Sequence, residues 1–218
     1  MPNLYLIAGH NGAGKSTYGR LLLPEIAHSL SVFDGDAVYH ATLREAFIRL
    51  KVAKFAQREA MQTTLDTFEG LVETALAEKQ DFAYEGHFNG EGPWETVQRF
   101  KDAGYGVHMV FLGLNDVALS VGRVEKRVEQ GGHYVSPYNV QVNYEGNLKY
   151  LNDRFRVLDS LTVFDTSAPQ PKLLVSLTLG KVEYQAPELL RWFREGLPNV
   201  ALLTEGQAPK QQRGRRPG

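Results

Sequence analysis

Short apolar runs alternate with longer amphipathic stretches along most of this chain. "LYLIA" (4–8) has the unbroken apolar character of a buried strand, and so do "HSLSVFD" (28–34), "DFAYE" (81–85), "GVHMVFLGL" (106–114) and "LTVFD" (161–165). Between them the pattern turns helical. A helix is predicted from about Asp36 to Lys79, broken or kinked near Lys51, and another runs from Pro93, which suits a first turn, to about Ala103. Further helices are predicted over 116–130 and 137–158. Residues 173–179 read as an edge strand and 187–195 as a short final helix. Strands separated by helices pair in parallel through right-handed crossovers, so the expected fold is a three-layer α/β/α sandwich with a central parallel sheet.

Composition narrows the class. The chain has 218 residues, 43% apolar and 22% charged, enough for one large domain with a sizeable core. No apolar stretch approaches the roughly 18–20 residues of a spanning helix. The start, "MPNLYLIAGHNGAGK", lacks a basic region followed by a long apolar segment, so a cytoplasmic protein without membrane attachment is expected. Cysteine is absent, which excludes disulfides, thiolate metal sites and a cysteine nucleophile. A net charge of −1 argues against a dedicated nucleic-acid surface. The exception is the end, "APKQQRGRRPG", which gathers basic residues. One domain over 1–203 is expected, with 204–218 a disordered, solvated basic tail.

"AGHNGAGKST" (8–17) carries Gly-x-x-x-x-Gly-Lys-Ser between a predicted strand and a predicted helix, the setting that a phosphate-binding loop requires. Gly9, Gly12 and Gly14 permit a loop whose backbone N–H groups converge on phosphate oxygens at a positive helix end. With Asn11 and Ala13 they form the expected ATP cradle. Lys15 would reach the β- and γ-phosphates, Ser16 would ligate Mg²⁺, and Thr17 would cap the α-phosphate. His10 and Asn11 fill the variable positions of the motif.

The other strand ends decide what is done with the phosphate, because ligands of open α/β sheets sit at the carboxyl edge. "FDGDAVY" places Asp34 and Asp36 there, and "YEGHF" adds Glu85 and His87. A phosphoryl acceptor's hydroxyl needs a carboxylate to take its proton, although an Asp at this position also serves as a helix cap. In the helix "NDVALSVGRVEKRVEQGGH", Val117, Val121, Val124 and Val128 form a core stripe. Arg123 and Arg127 flank it four residues apart. Like charges at that spacing disfavour a helix by a few tenths of a kcal/mol, so their anionic partner must come from elsewhere. A transferring phosphoryl group and its leaving diphosphate would supply it. Gly131 and Gly132 then open a loop that suits a lid.

These stretches, together with "AGYGVHMVFLGL" and "RVEKRVEQGGHYVS", resemble the zeta toxin family of small P-loop kinases over residues 3 to about 168. The resemblance implies a nucleotide-kinase-like fold with a central five-stranded parallel sheet and a helical lid. It further implies ATP-dependent phosphorylation of UDP-N-acetylglucosamine at a sugar hydroxyl, and an antitoxin partner. By matching positions, Asp36 would be the general base, Glu85 a contact of the substrate hydroxyl, and Lys15 with Arg123 or Arg127 the phosphoryl stabilisers. Asp34 and His87 stand with Glu85 on the substrate side. Two departures stand out. The family carries a hydroxyl residue just after the strand-three glutamate, where this chain has Gly86, His87 and Phe88. It carries arginines where this chain has Gln141, Val142 and Asn143. The acceptor half therefore differs while the ATP half is kept. A polynucleotide or nucleoside kinase, and a nucleotide-binding regulatory protein with degenerate catalysis, remain as alternatives.

Overall fold

The computed structural model describes residues 1–130 and 134–207. Its centre is a seven-stranded sheet in the order β2-β3-β1-β4-β5-β6-β7. β1 (Asn3–Gly9), β2 (Val32–Asp34), β3 (Phe82–Gly86), β4 (Gly106–Gly113) and β5 (Ser160–Asp165) are mutually parallel. β6 (Lys172–Thr178) and β7 (Lys181–Gln185) extend them as antiparallel strands. The expected parallel sheet is thus present with an antiparallel hairpin added at one side. Residues 173–179, expected at the edge, are covered by β7, which is the true edge and buries none of its side chains fully.

Among the described residues eight α-helical segments complete the layers: α1 (Arg20–Leu22), α2 (Gly35–Leu50), α3 (Ala53–Glu78), α4 (Glu91–Asp102), α5 (Val117–Glu129), α6 (Pro137–Arg154), α7 (Arg191–Gly196) and α8 (Pro198–Gln207). The break predicted near Lys51 falls there: Lys51 takes a left-handed conformation (φ 54°), closes α2 through its N–H on the Phe47 carbonyl, and α3 restarts two residues later. Asp116 caps α5 through Leu119 N–H, and Ser136 caps α6 with Pro137 in its first turn. Other boundaries shift. β2 begins at Val32, because residues 28–30 still form a turn and bend after the 3₁₀ turn over 25–27. α6 ends at Arg154 and tightens into a 3₁₀ turn over 155–157. The final helix starts at Arg191, four residues late, and α8 follows it past the expected start of the tail at 204. The rest of that tail, and Gly131 and Gly132 of the expected lid, lie outside the described residues.

The core runs along β1 and β4, where Leu4, Leu6, Ile7, Val107, Met109 and Leu112 are at most 1% exposed. Burial on both sides of these strands is what their continuous apolar sequence demands. Parallel register then brings the carboxyl ends together: Asp34 lies opposite Glu85, Ile7 opposite Glu85 on the other side, and Gly9 opposite Leu112.

Candidate active site

The loop after β1 is built from backbone freedom. Gly9, Gly12 and Gly14 have φ of 147°, 70° and 82°, a region closed to most side chains. A Cβ at Gly9 would sit 2.2 Å from the Leu112 carbonyl, and one at Gly12 would sit 2.8 Å from Arg123 Cβ. The loop therefore lies flat on the end of β4 and against α5. It enters a wide π-helical turn over Lys15–Gly19, continued by α1, with Ser16 and Thr17 exposed at its mouth.

Lys15 Nζ donates to the carbonyls of Gly9 (3.1 Å) and His10 (3.2 Å), folding back over its own loop. Burial lowers its ammonium, while Glu85, Asp36 and Asp34 raise it and Arg127 lowers it. Four of the residues expected from sequence thus bear on a single point. Ser16 Oγ donates to Glu85 Oε1 at 2.8 Å. Burial raises the Glu85 carboxyl, and the Ser16 bond pulls it back.

The two strand-two aspartates divide the labour. Asp34 is the cap of α2, accepting from Ala37 N–H at 3.0 Å. Asp36, the residue weighed as a cap from sequence, is left exposed in the first turn, and its charge acts on Lys15. The two arginines divide as well. Arg123 bridges the Gly12 carbonyl (3.2 Å) and the Ser167 carbonyl (2.9 Å), tying the loop to the segment after β5. Arg127, one turn on, is near enough to press on the charges of both Lys15 and His87.

His10 and Asn11, without a role in sequence, now have one. His10 is fully buried, its ring 3.9 Å from Tyr144 and 5.5 Å from Phe111, and neither ring nitrogen has a partner. Burial, with Lys15 adding to it, brings its pKa down to about 3, so it packs as a neutral aromatic that anchors the loop in the core. Asn11 is the hub of a polar network. Its carbonyl accepts from Ser120 Oγ (2.6 Å) and its side-chain oxygen from Asn143 Nδ2 (2.9 Å). Its amide nitrogen lies 3.3 Å from His87 Nε2, and His87 Nδ1 accepts from Asn147 Nδ2 at 3.1 Å. Asn147, fully buried, also accepts from Phe88 N–H at 2.8 Å, and Asn89 donates to Asn143 at 2.6 Å. His87 and Asn143, two of the residues at the departures from the resemblance, are partners in this network. Sequence reading missed Asn89 and Asn147 and noted Asn143 only as a departure from the resemblance. The available signal was a pair of asparagines four residues apart within α6, poor helix formers on one face.

The donor set suits a hard cation held by phosphates: hydroxyl and carboxylate oxygens at the loop mouth, with no soft ligand. Among the described residues no group of three His, Asp or Glu makes a ready-made metal site. Beyond Ser16 and Glu85 opens a cleft of about 720 Å³ between α3, β3 and the start of α4. The arrangement has a phosphate cradle, a carboxylate at the rim and an adjoining cavity, the parts that phosphoryl transfer needs.

Comparison with known proteins gives the same architecture. A family model described as Zeta toxin matches residues 1–168. An uncharacterized protein of Haemophilus influenzae is 26% identical over 140 residues, covering 62% of this chain and 88% of its own. Among solved structures, the PezAT chromosomal toxin–antitoxin system of Streptococcus pneumoniae superposes with a TM-score of 0.59 at 18% identity, over 95% of this chain and 87% of that one. The AvrRxo1-ORF1:-ORF2 complex with ATP gives 0.61 at 17% identity, over 99% of this chain and 66% of the other. At these identities the solved structures establish the fold.

Proposed function

The chain belongs to the zeta toxin family, and from that premise we propose that it transfers the γ-phosphoryl group of ATP to a hydroxyl of a small molecule. The observation that carries this reading is the glycine-built loop at the end of β1 joined to the end of β3 by the 2.8 Å bond from Ser16 to Glu85, with the charges of Asp34, Asp36 and Arg127 acting on Lys15 beside it. Asp36 takes the proton of the acceptor hydroxyl as its oxygen attacks the γ-phosphorus, and the bond from that phosphorus to the ADP oxygen breaks. Lys15 leaves the Gly9 and His10 carbonyls for the β- and γ-phosphates, and Arg127 supports it as charge moves to the leaving diphosphate. Arg123 holds the loop and the Ser167 segment in place. Mg²⁺, held by Ser16 with Glu85 or Asp34 behind it, would neutralise the β- and γ-phosphate charge.

UDP-N-acetylglucosamine is the acceptor that family membership suggests, and the structures of PezAT and AvrRxo1-ORF1:-ORF2 support a second, antitoxin-like partner. A cytoplasmic setting follows from the need for ATP, and no helix among the described residues is long and apolar enough to cross a membrane. The test is incubation with γ-labelled ATP and a metabolite extract, read by mass spectrometry for a gain of one phosphoryl group. A Lys15-dependent product supports the reading. ATP binding without any product overturns it.

A further inference from the structure

The hairpin of α2 and α3 stands clear of the sheet. A Cβ at Gly35, the first residue after β2, would lie 3.7 Å from Thr64 Cγ2, so α3 passes the carboxyl edge at that level. Its length before Thr64, about 17 Å of helix, projects beyond the edge beside α2. The residues buried along this projecting part are alanines, Ala46, Ala56 and Ala60, and side chains that small bring two helices close and shut the groove between them. At the far end Phe47, Ile48, Val52 and Phe55 are 51%, 70%, 45% and 56% exposed. Exposed apolar side chains are ordinary when scattered, but these four share the last turns on either side of Lys51. Arg44, Lys51, Lys54 and Arg58 are exposed with them and form no ion pair among the described residues, whereas Arg49 is held by Glu59. Glu45 is the one further carboxylate from Arg44 to Glu59, so the tip is cationic in a chain whose net charge is −1.

We propose that this tip docks on the anionic leaflet of a membrane, with Phe47, Ile48, Val52 and Phe55 entering the headgroup boundary. A convex apolar end ringed by cations suits a lipid surface on both counts. The boundary of the acyl chains takes Phe and Ile side chains without a matching pocket, and the lysines and arginines meet phosphate-bearing headgroups. A second copy of the chain would set these cations against their own kind. An apolar protein helix needs a groove to lie in, and the alanine seam denies it one. Nucleic acid would satisfy the cations but leave Ile48 and Val52 in water, since it is bound through polar contacts and stacked rings. The contact is peripheral, because no helix among the described residues is long and apolar enough to cross a membrane. It amends the expectation of a chain without membrane attachment and is independent of the phosphotransferase reading. The hairpin leaves from the carboxyl edge, so docking turns Ser16, Glu85 and their cleft toward the lipid.

The test floats the full chain with vesicles of phosphatidylcholine containing about one third phosphatidylglycerol, against vesicles of phosphatidylcholine alone. Partition into the anionic vesicles is expected to be at least about tenfold stronger, and to fall as NaCl rises from about 0.05 to about 0.5 M. Lys54→Glu with Arg58→Glu should weaken it at least about tenfold, and so should Phe47→Ser with Phe55→Ser, which keeps every cation. The basic residues at 210–216 are intact in both pairs, so the losses belong to the hairpin. Unfolding in urea should match the parent in each pair, since all four positions are exposed. Phe55→Trp places a reporter at the tip, because Trp94 and Trp192 are buried, and its emission should shift to the blue on anionic vesicles. An equal shift with heparin, a soluble polyanion, would mean a protein or nucleic-acid partner and overturn the inference. Parental partition in either pair, or none into the anionic vesicles, overturns it too.

Discussion

Ser16 Oγ donates a 2.8 Å hydrogen bond to Glu85 Oε1, joining the phosphate loop to the end of β3 across 69 residues of sequence. The bond couples the two halves of the site, because the residue suited to a metal and the residue at the mouth of the acceptor cleft hold one another. It also offsets part of the rise that burial imposes on the Glu85 carboxyl.

Ser16→Ala should therefore raise the Mg²⁺ concentration for half-maximal transfer by about ten- to hundredfold. Glu85 loses its bond in the same variant, so its carboxyl should rise further and the acid limb of the rate profile should move to higher pH. Initial rates against MgCl₂ at fixed ATP, repeated across pH, check both. An unchanged Mg²⁺ dependence would remove Ser16 from the metal site.

Asp36 is separable from the helix that carries it, because Asp34 does the capping. Asp36→Ala should lower transfer by about 10²–10⁴-fold, the usual worth of a positioned base, with ATP affinity unchanged. Asp34→Ala should instead cost about 1 kcal/mol of stability through the lost cap. Steady-state rates, calorimetric ATP titration and urea unfolding of the two variants separate the roles. Wild-type turnover in Asp36→Ala would discard it as the base.

The loop, the strand ends and the α5 arginines were legible in sequence because each is a local signal: glycine spacing, a carboxylate at the end of an apolar run, a charge pair beside a stripe. The parallel strands were legible for the same reason, as continuous apolar runs. β7 was not, since "KVEYQ" buries no residue fully and its pairing with β6 is settled only in three dimensions. The asparagine network was not either. Asn11, Asn89, Asn143 and Asn147 come from three distant segments, and a buried polar group's partners cannot be read from its own neighbours in sequence.

That network should be costly to cut. Asn147→Leu strands the Phe88 N–H and the His87 Nδ1 that Asn147 now satisfies. Each stranded buried group costs about 1–3 kcal/mol, so the unfolding free energy in urea should fall by at least the lower figure. The segment that carries His87 and Asn89 also borders the cleft, so the acceptor KM should rise more than the ATP KM. A loss of stability with both constants unchanged would make the network purely structural.

His10 should imprint itself on the pH dependence of stability. Its folded pKa is lowered to about 3 by burial and by Lys15, whereas the unfolded imidazole titrates near the ordinary value of about 6.5. Below that value the unfolded chain binds the extra proton, so stability rises with pH and is lost progressively as pH falls from about 6.5 toward 3. Between pH 7.5 and 5.5 this group alone should remove about 1.4 kcal/mol. His10→Phe keeps the aromatic packing and forfeits no hydrogen bond, so its stability should fall less over that interval by about the same amount. Urea unfolding of both proteins at the two pH values gives the difference, and parallel curves would contradict a neutral buried His10.

The two arginines of α5 should fail in different ways. Arg123 donates to the Gly12 and Ser167 carbonyls, so its guanidinium is already committed to positioning the loop and the segment after β5. Arg123→Ala strands those carbonyls and opens space beside Gly12, which should lower stability by about 1–3 kcal/mol and raise the KM for ATP, with a smaller effect on kcat. Arg127 bears on Lys15 and His87, where charge builds during transfer. Arg127→Ala should lower kcat by about 10²–10³-fold and leave the KM for ATP nearly unchanged. Arg127→Lys should recover only part of the rate, because a point charge cannot replace the planar fork. The split between KM and kcat, measured on both variants under the same Mg²⁺ and pH, decides the assignment. Matching losses in the two would mean that the pair acts as one phosphoryl clamp.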